Sequence, residues 1–131
     1  MIRMSSWYGE RTRRLEGRLS EMYGMSAMCT STGTAALHLA LLACGIGPGS
    51  RVAIPSLTFV ATANAVSYTG ADPVICGCGD DLTLDPRNVP ADIDMVVPVS
   101  LGGTPCHTAY PRCIEDAAAS LGSAVTGRTR I

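Results

Sequence analysis

The chain has 131 residues, enough for one domain and too few for two. Hydrophobic residues make up 47% and charged residues 16%, which can bury a core and excludes a wholly disordered segment. The net charge of −1 leaves no basic surplus for phosphate contacts along a nucleic acid, so no nucleic-acid partner is expected.

The ten basic residues are all Arg. Chemistry that needs a lysine amine is therefore impossible within these residues. No secretory pattern opens the chain, whose first residues are rich in Arg and Glu. The longest apolar stretch, residues 35–44, is interrupted by His38 and falls short of the roughly 20 residues of a membrane span. A soluble, cytoplasmic protein is expected, with no membrane partner.

In chain order, Leu15, Leu19, Met22 and Tyr23 share one face of a helix over residues 10–23, and Gly24 is placed to cap it. A short extended segment, residues 26–30, follows. Ser31-Thr32-Gly33-Thr34 then opens a helix over residues 35–44. That helix is apolar on nearly every side, so it needs neighbours all round. Residues 47–49 form a turn, and residues 51–55 a buried strand.

Thr58 is a candidate N-cap for a helix over residues 59–68, which Gly70 ends. Residues 73–76 form a second strand. Strand, helix and strand together make the unit from which parallel sheets are built. Residues 80–94 read as loop, 95–99 as a strand and 113–115 as a last strand. Residues 116–121 read as a short helical start. Residues 100–112, with two glycines and two prolines, have no helical period. They are barely long enough for a parallel crossover, which usually holds a helix.

Six cysteines are present: Cys29, Cys44, Cys76, Cys78, Cys106 and Cys113. Cys76, Cys78, Cys106, His107 and Cys113 are metal-donor types, but the spacing is not that of a zinc knuckle. Small, apolar, reduced cysteines are the simpler reading, and no metal site is assigned.

Two places suit a ligand. A helix N-terminus behind Gly33 offers N–H groups and a positive dipole end to a phosphate, although an ordinary Ser/Thr cap would look the same. Glu115 and Asp116 stand at the end of a predicted parallel strand, where ligands bind in open α/β sheets. Asp116 as a helix cap is the equally natural alternative.

Segments 31–41, 45–52, 55–66 and 115–118, in this order, resemble the N-terminal part of the DegT/DnrJ/StrS family of sugar aminotransferases that use pyridoxal phosphate (PLP). The resemblance runs from about residue 10 to residue 128. It implies an α/β fold, three-layer α/β/α with a mainly parallel sheet, as an incomplete large domain of the aspartate-aminotransferase type (fold type I). One such partial domain is expected over 1–131, without the family's C-terminal domain. The implied cofactor is PLP, bound non-covalently at best, and the implied substrate a keto sugar on a nucleotide carrier.

The resemblance also implies roles. Gly33 and Thr34 would hold the cofactor phosphate, Phe59 would stack on its ring and Asp116 would pair with the ring nitrogen. No catalytic residue is assigned, because the family lysine that carries PLP comes later in the chain. Three positions depart from the family: Ser100 replaces a His, Ala119 a Gln and Gly77 an Asp. The helix between the Gly102-Gly103 turn and Glu115 is missing. The resemblance therefore implies amino-sugar biosynthesis chemistry that this stretch does not complete alone. A non-catalytic remnant, a partner of a lysine-bearing chain and a non-functional fragment are the alternatives. Homo-oligomers or self-association are expected.

Overall fold

The computed structural model describes residues 9–106 and 110–122. Residues up to Ser31 and residues from Thr32 onward form two compact units.

The first unit holds helix α1, Glu10–Tyr23, which ends on Gly24 at φ 67°. That left-handed turn is open to glycine without steric cost. It sends the chain back along the helix, where Ala27 N–H donates to Ser20 Oγ at 3.0 Å and Cys29 N–H to Glu16 Oε1 at 2.7 Å. The expected helix bounds are those observed. Its apolar stripe is not buried, however, and Leu15 and Met22 are exposed.

The second unit contains α2 (Gly33–Ala43), β1 (Arg51–Pro55), α3 (Val60–Tyr68), β2 (Asp72–Cys76) and β3 (Met95–Val96). The strands lie in the order β2-β1-β3, all parallel. Residues 51–55 form the strand expected of them, and β1 pairs with β2 along its full length, from Arg51 with Asp72 to Pro55 with Cys76. The turn into β2 needs a glycine: Gly70 sits at φ 82°, and a Cβ there would lie 3.0 Å from Pro48 Cγ.

Alternation along the strands separates two cores. Val52, Ile54, Met95, Val97 and Ile114 pack with Leu37 and Leu41 of α2 and with Ala65 and Val66 of α3. Ala53, Cys76 and Val96 face the other way, against Leu84, Val89, Ile93 and Tyr110. The α/β class with a parallel sheet is as expected. Among the described residues of this unit, helices cover one face and loop segments the other.

Several local expectations are corrected. The strand over 95–99 keeps a two-residue ladder with β1, extended by Val97 N–H to Ala53 O, and Pro98, which has no N–H, faces the other neighbour between Val96 and Ser100, whose N–H groups donate to Arg112 O and Asp116 O. The last strand is present only as two parallel bridges, Val96 with Cys113 and Val99 with Asp116. Ile114 N–H donates to Val96 O and Asp116 N–H to Pro98 O, so the direction is that of a parallel neighbour. Residues 116–121 form turns, not a helical start. Ala118 N–H folds back onto Asp116 Oδ1, which is an Asx turn rather than a helix cap. Phe59, not Thr58, is the N-cap residue of α3, and it makes no side-chain cap bond. Finally, α2 is not enclosed on all sides, since Leu39 and Leu42 remain exposed.

Candidate functional site

Helix α2 starts where Thr32 caps it: the Thr32 Oγ1 accepts from Ala35 N–H at 3.1 Å. The N–H groups of Gly33 and Thr34, first in the helix, have no acceptor within it. Gly33 is exposed, and a Cβ built on it would meet nothing within 4 Å. Packing within the chain therefore does not demand a glycine here, and the space in front of the backbone is open.

The helix runs antiparallel to the strands. At its far end Arg112, just before the last strand, donates from Nη2 to Cys44 O at 3.1 Å. Eleven helical residues span roughly 16 Å, about the length of a five-residue strand. The α2 N-terminus thus lies toward the carboxyl end of the sheet, on the helix-covered face.

Asp116 lies at the same end. Val52 pairs with Met95 and Val99 with Asp116, so Asp116 stands one step beyond the last residue of β1. Its backbone is held on both sides, with N–H to Pro98 O and carbonyl accepting from Ser100 N–H. Its carboxylate turns to the helix face: Oδ2 accepts from Thr62 Oγ1 at 3.2 Å, and Oδ1 from Ala118 N–H at 3.1 Å. Thr62 is in the first turn of α3 and is buried. Phe59, immediately before that helix, is 75% exposed, so its ring has almost no cover from its own chain. Asp116 and the Phe59 turn are therefore joined through Thr62, with Gly33 and Thr34 on the neighbouring helix.

Glu115 faces the opposite way. Ser100 Oγ donates to Glu115 Oε1 and accepts from Cys106 N–H at 3.0 Å. Ser100 is fully buried. Cys106 donates from Sγ to Val99 O at 3.0 Å, and burial pushes its thiol up to about 11. Burial also raises the Cys76 thiol. These cysteines behave as core residues. Among the described residues no three His, Cys, Asp or Glu side chains converge as a metal group, and His107 lies outside them.

Gly77 and Ala119, the other two departures, have simple surroundings. A Cβ on Gly77 would lie 2.7 Å from Asn88 Nδ2, so the Asn88 side chain fills the place where a side chain at 77 would begin. Ala119 is exposed in the turn after Asp116. The sequence points to Thr58 only as a helix cap and does not single out Thr62. Their i, i+4 spacing across the start of α3 was the available signal.

Comparison with known proteins places this geometry in context. Residues 3–130 match the model of the DegT/DnrJ/EryC1/StrS aminotransferase family. GDP-perosamine synthase of Caulobacter vibrioides is 40% identical over 78% of this chain and 31% of its own length. The dTDP-4-dehydro-2,3,6-trideoxy-D-glucose 4-aminotransferase of Saccharopolyspora spinosa is 34% identical, over 94% of this chain and 37% of its own. The chain thus spans about a third of the length of these relatives. Among solved structures, NtdA of Bacillus subtilis with bound cofactor PMP superposes with a TM-score of 0.79 at 26% identity, covering 93% of this chain and 32% of that one. No helix among the described residues is long and apolar enough to cross a membrane.

Proposed function

The chain belongs to the DegT/DnrJ/EryC1/StrS aminotransferase family, and from that membership we propose that it forms the cofactor-holding part of a PLP-dependent aminotransferase acting on nucleotide-linked keto sugars. The observation that carries the reading is the Asp116 carboxylate, held at the carboxyl end of the sheet by Thr62, three residues after the uncovered Phe59. The substrate class follows from the names of the two sugar-modifying relatives.

The residues suit PLP in three respects. Gly33 and Thr34 offer helix N–H groups, and the positive end of the α2 dipole, to a phosphate. Phe59 offers a flat apolar face to a ring. Asp116 offers acceptor oxygens to a protonated ring nitrogen. When bound, the cofactor supplies an electron sink for the substrate carbon. The chain's part is to hold and orient it and to keep the ring nitrogen protonated through Asp116. Because these residues include no lysine, the amine for covalent attachment and proton transfer has to come from outside them. Alone, this stretch holds PLP non-covalently and turns over no keto sugar.

Partnership has its own support. Leu39 and Leu42 of α2, an apolar helix, are exposed, which favours self-association or a covering partner.

The test is a titration of the protein with PLP, followed by absorbance. A saturable spectral change that Asp116→Ala weakens supports the reading. After borohydride, no pyridoxyl group should be fixed on any side chain. A spectrum that free PLP reproduces at every ratio overturns it.

A further inference from the structure

We propose that Thr62, backed by Thr58, is a positioning residue that sets the Asp116 carboxylate for a cationic ring N–H. The inference rests on the PLP reading above and goes beyond it by naming residues that touch neither cofactor nor substrate in that scheme.

The geometry has three parts. Thr62 is 1% exposed, so its hydroxyl has to find partners within the protein. It finds two: Asp116 Oδ2 at 3.2 Å and Thr58 Oγ1 at 2.8 Å. An ionised carboxylate only accepts, so the Thr62 hydrogen goes to Asp116. The Thr62 oxygen is then left to accept, and Thr58 is the donor, giving its one hydrogen to Thr62 at 2.8 Å rather than to Phe59 O at 3.4 Å. The direction of the chain, Thr58 to Thr62 to Asp116, is fixed by that one constraint.

The consequence lies at the carboxylate. Ala118 N–H occupies one acceptor direction of Oδ1, and Thr62 one of Oδ2. Held at both oxygens, the group has one rotamer and keeps acceptor capacity for a further donor. Both threonines stand at the start of α3 and flank Phe59, the residue that would lie against the ring. One helix start thus fixes the ring-stacking residue and the partner of the ring nitrogen together.

A purely structural role would be to tie α3 to the strand that bears Asp116. The two roles separate with a pair of ligands: PLP and its 1-deaza analogue, in which a CH replaces the ring nitrogen. Thr62→Val keeps the shape and removes the hydroxyl. It should weaken PLP binding by about tenfold, the size of one hydrogen bond to a charged group. It should leave the deaza analogue unchanged. Thr62→Ser should restore PLP binding. Thr58→Val, one step further away, should give a smaller loss of about two- to threefold, again for PLP only. This second variant keeps the inference testable if Thr62→Val does not fold. Equal losses for both ligands, or no loss in either variant, overturn the positioning role while the site reading stands. A wild-type protein that binds neither ligand overturns the site reading, and the positioning role with it.

Discussion

The chain returns to its sheet three times, and the first and last returns are made in different ways. From β1 to β2 it uses a helix, α3, and pairs five residues in continuous register. From β3 to Asp116 the described residues hold a 3-10 turn at Leu101–Gly103 and no α-helix. The chain then pairs through two isolated bridges on either side of Pro98. Both returns deliver a parallel neighbour. A helix is thus the usual content of a crossover but not its requirement, which is length enough to get back. What the helix adds is cover. The helical return buries Ala65 and Val66 in the larger core, whereas the other leaves its face to loop residues such as Leu84 and Tyr110.

The largest expected effect tests that asymmetry of cover. Leu41 is fully buried between α2 and the sheet. Leu41→Ala should cost about 2–5 kcal/mol, as large-to-small changes in packed cores do. On the loop-covered side, Tyr110→Phe loses the Tyr110 Oη hydrogen bond to Leu84 O and should cost about 1 kcal/mol. Urea midpoints of the two variants give the comparison. Equal costs would mean that the loops hold the sheet as firmly as the helices do.

How much of this was legible follows the same division. The βαβ unit and α2 were readable because apolar runs there are bounded by Gly and Pro and keep one period each. Boundaries moved by only one or two residues, as at Gly33 and Val60. In the helix-less return, Pro98 has no N–H to give between Val96 and Ser100, and sequence weighed only its place near the strand's end. The segment from Asp116 is expected to start a helix; the Asp116 side chain captures the Ala118 N–H instead. At the site, the residues alone point to the helix start behind Gly33 and to Asp116, and the resemblance adds Thr34 and Phe59. Thr62 is not singled out, because a threonine inside an apolar helix looks like filler until its partner across the fold is known. Ser100 stands out in the sequence only as a departure from the family, because its two partners are 15 and 6 residues away.

A smaller effect concerns pH and sharpens the contrast on the side of the helix-less return. Burial raises the Cys106 thiol from 9.0 to about 11, so the folded state keeps a proton that the unfolded state gives up earlier. Below about pH 9 both states are protonated and the thiol makes no difference. As pH rises from 9 to 11 the unfolded state gains by releasing its proton, and stability falls. The loss should be on the order of 1 kcal/mol at pH 10. Cys76 shifts in the same direction and adds to it. Denaturation in reducing buffer at pH 8 and pH 10, for wild type and Cys106→Ala, isolates the contribution. An identical pH dependence in the variant would mean that water reaches Cys106 through an open loop.

The smallest effect is at the start of α2, the better-covered side. Thr32 is extended at φ −151° and ψ 159°, its carbonyl accepts from Ala36 N–H, and its hydroxyl accepts from Ala35 N–H. Thr32→Ala removes the hydroxyl bond and should cost about 1 kcal/mol, while Thr32→Ser should cost only a few tenths. Because Leu37 and Leu41 pin the helix one and two turns further on, the loss should stay local. Amide exchange at Ala35 should speed up while exchange in β1 follows only the global change. The N–H groups offered to a phosphate come from that first turn, so PLP affinity should weaken with it, and Thr32→Ser should restore both. If exchange in β1 rises as much as at Ala35, α2 and the sheet open as one unit. The cap would then be holding the helix-covered half together rather than only shaping the end of a helix.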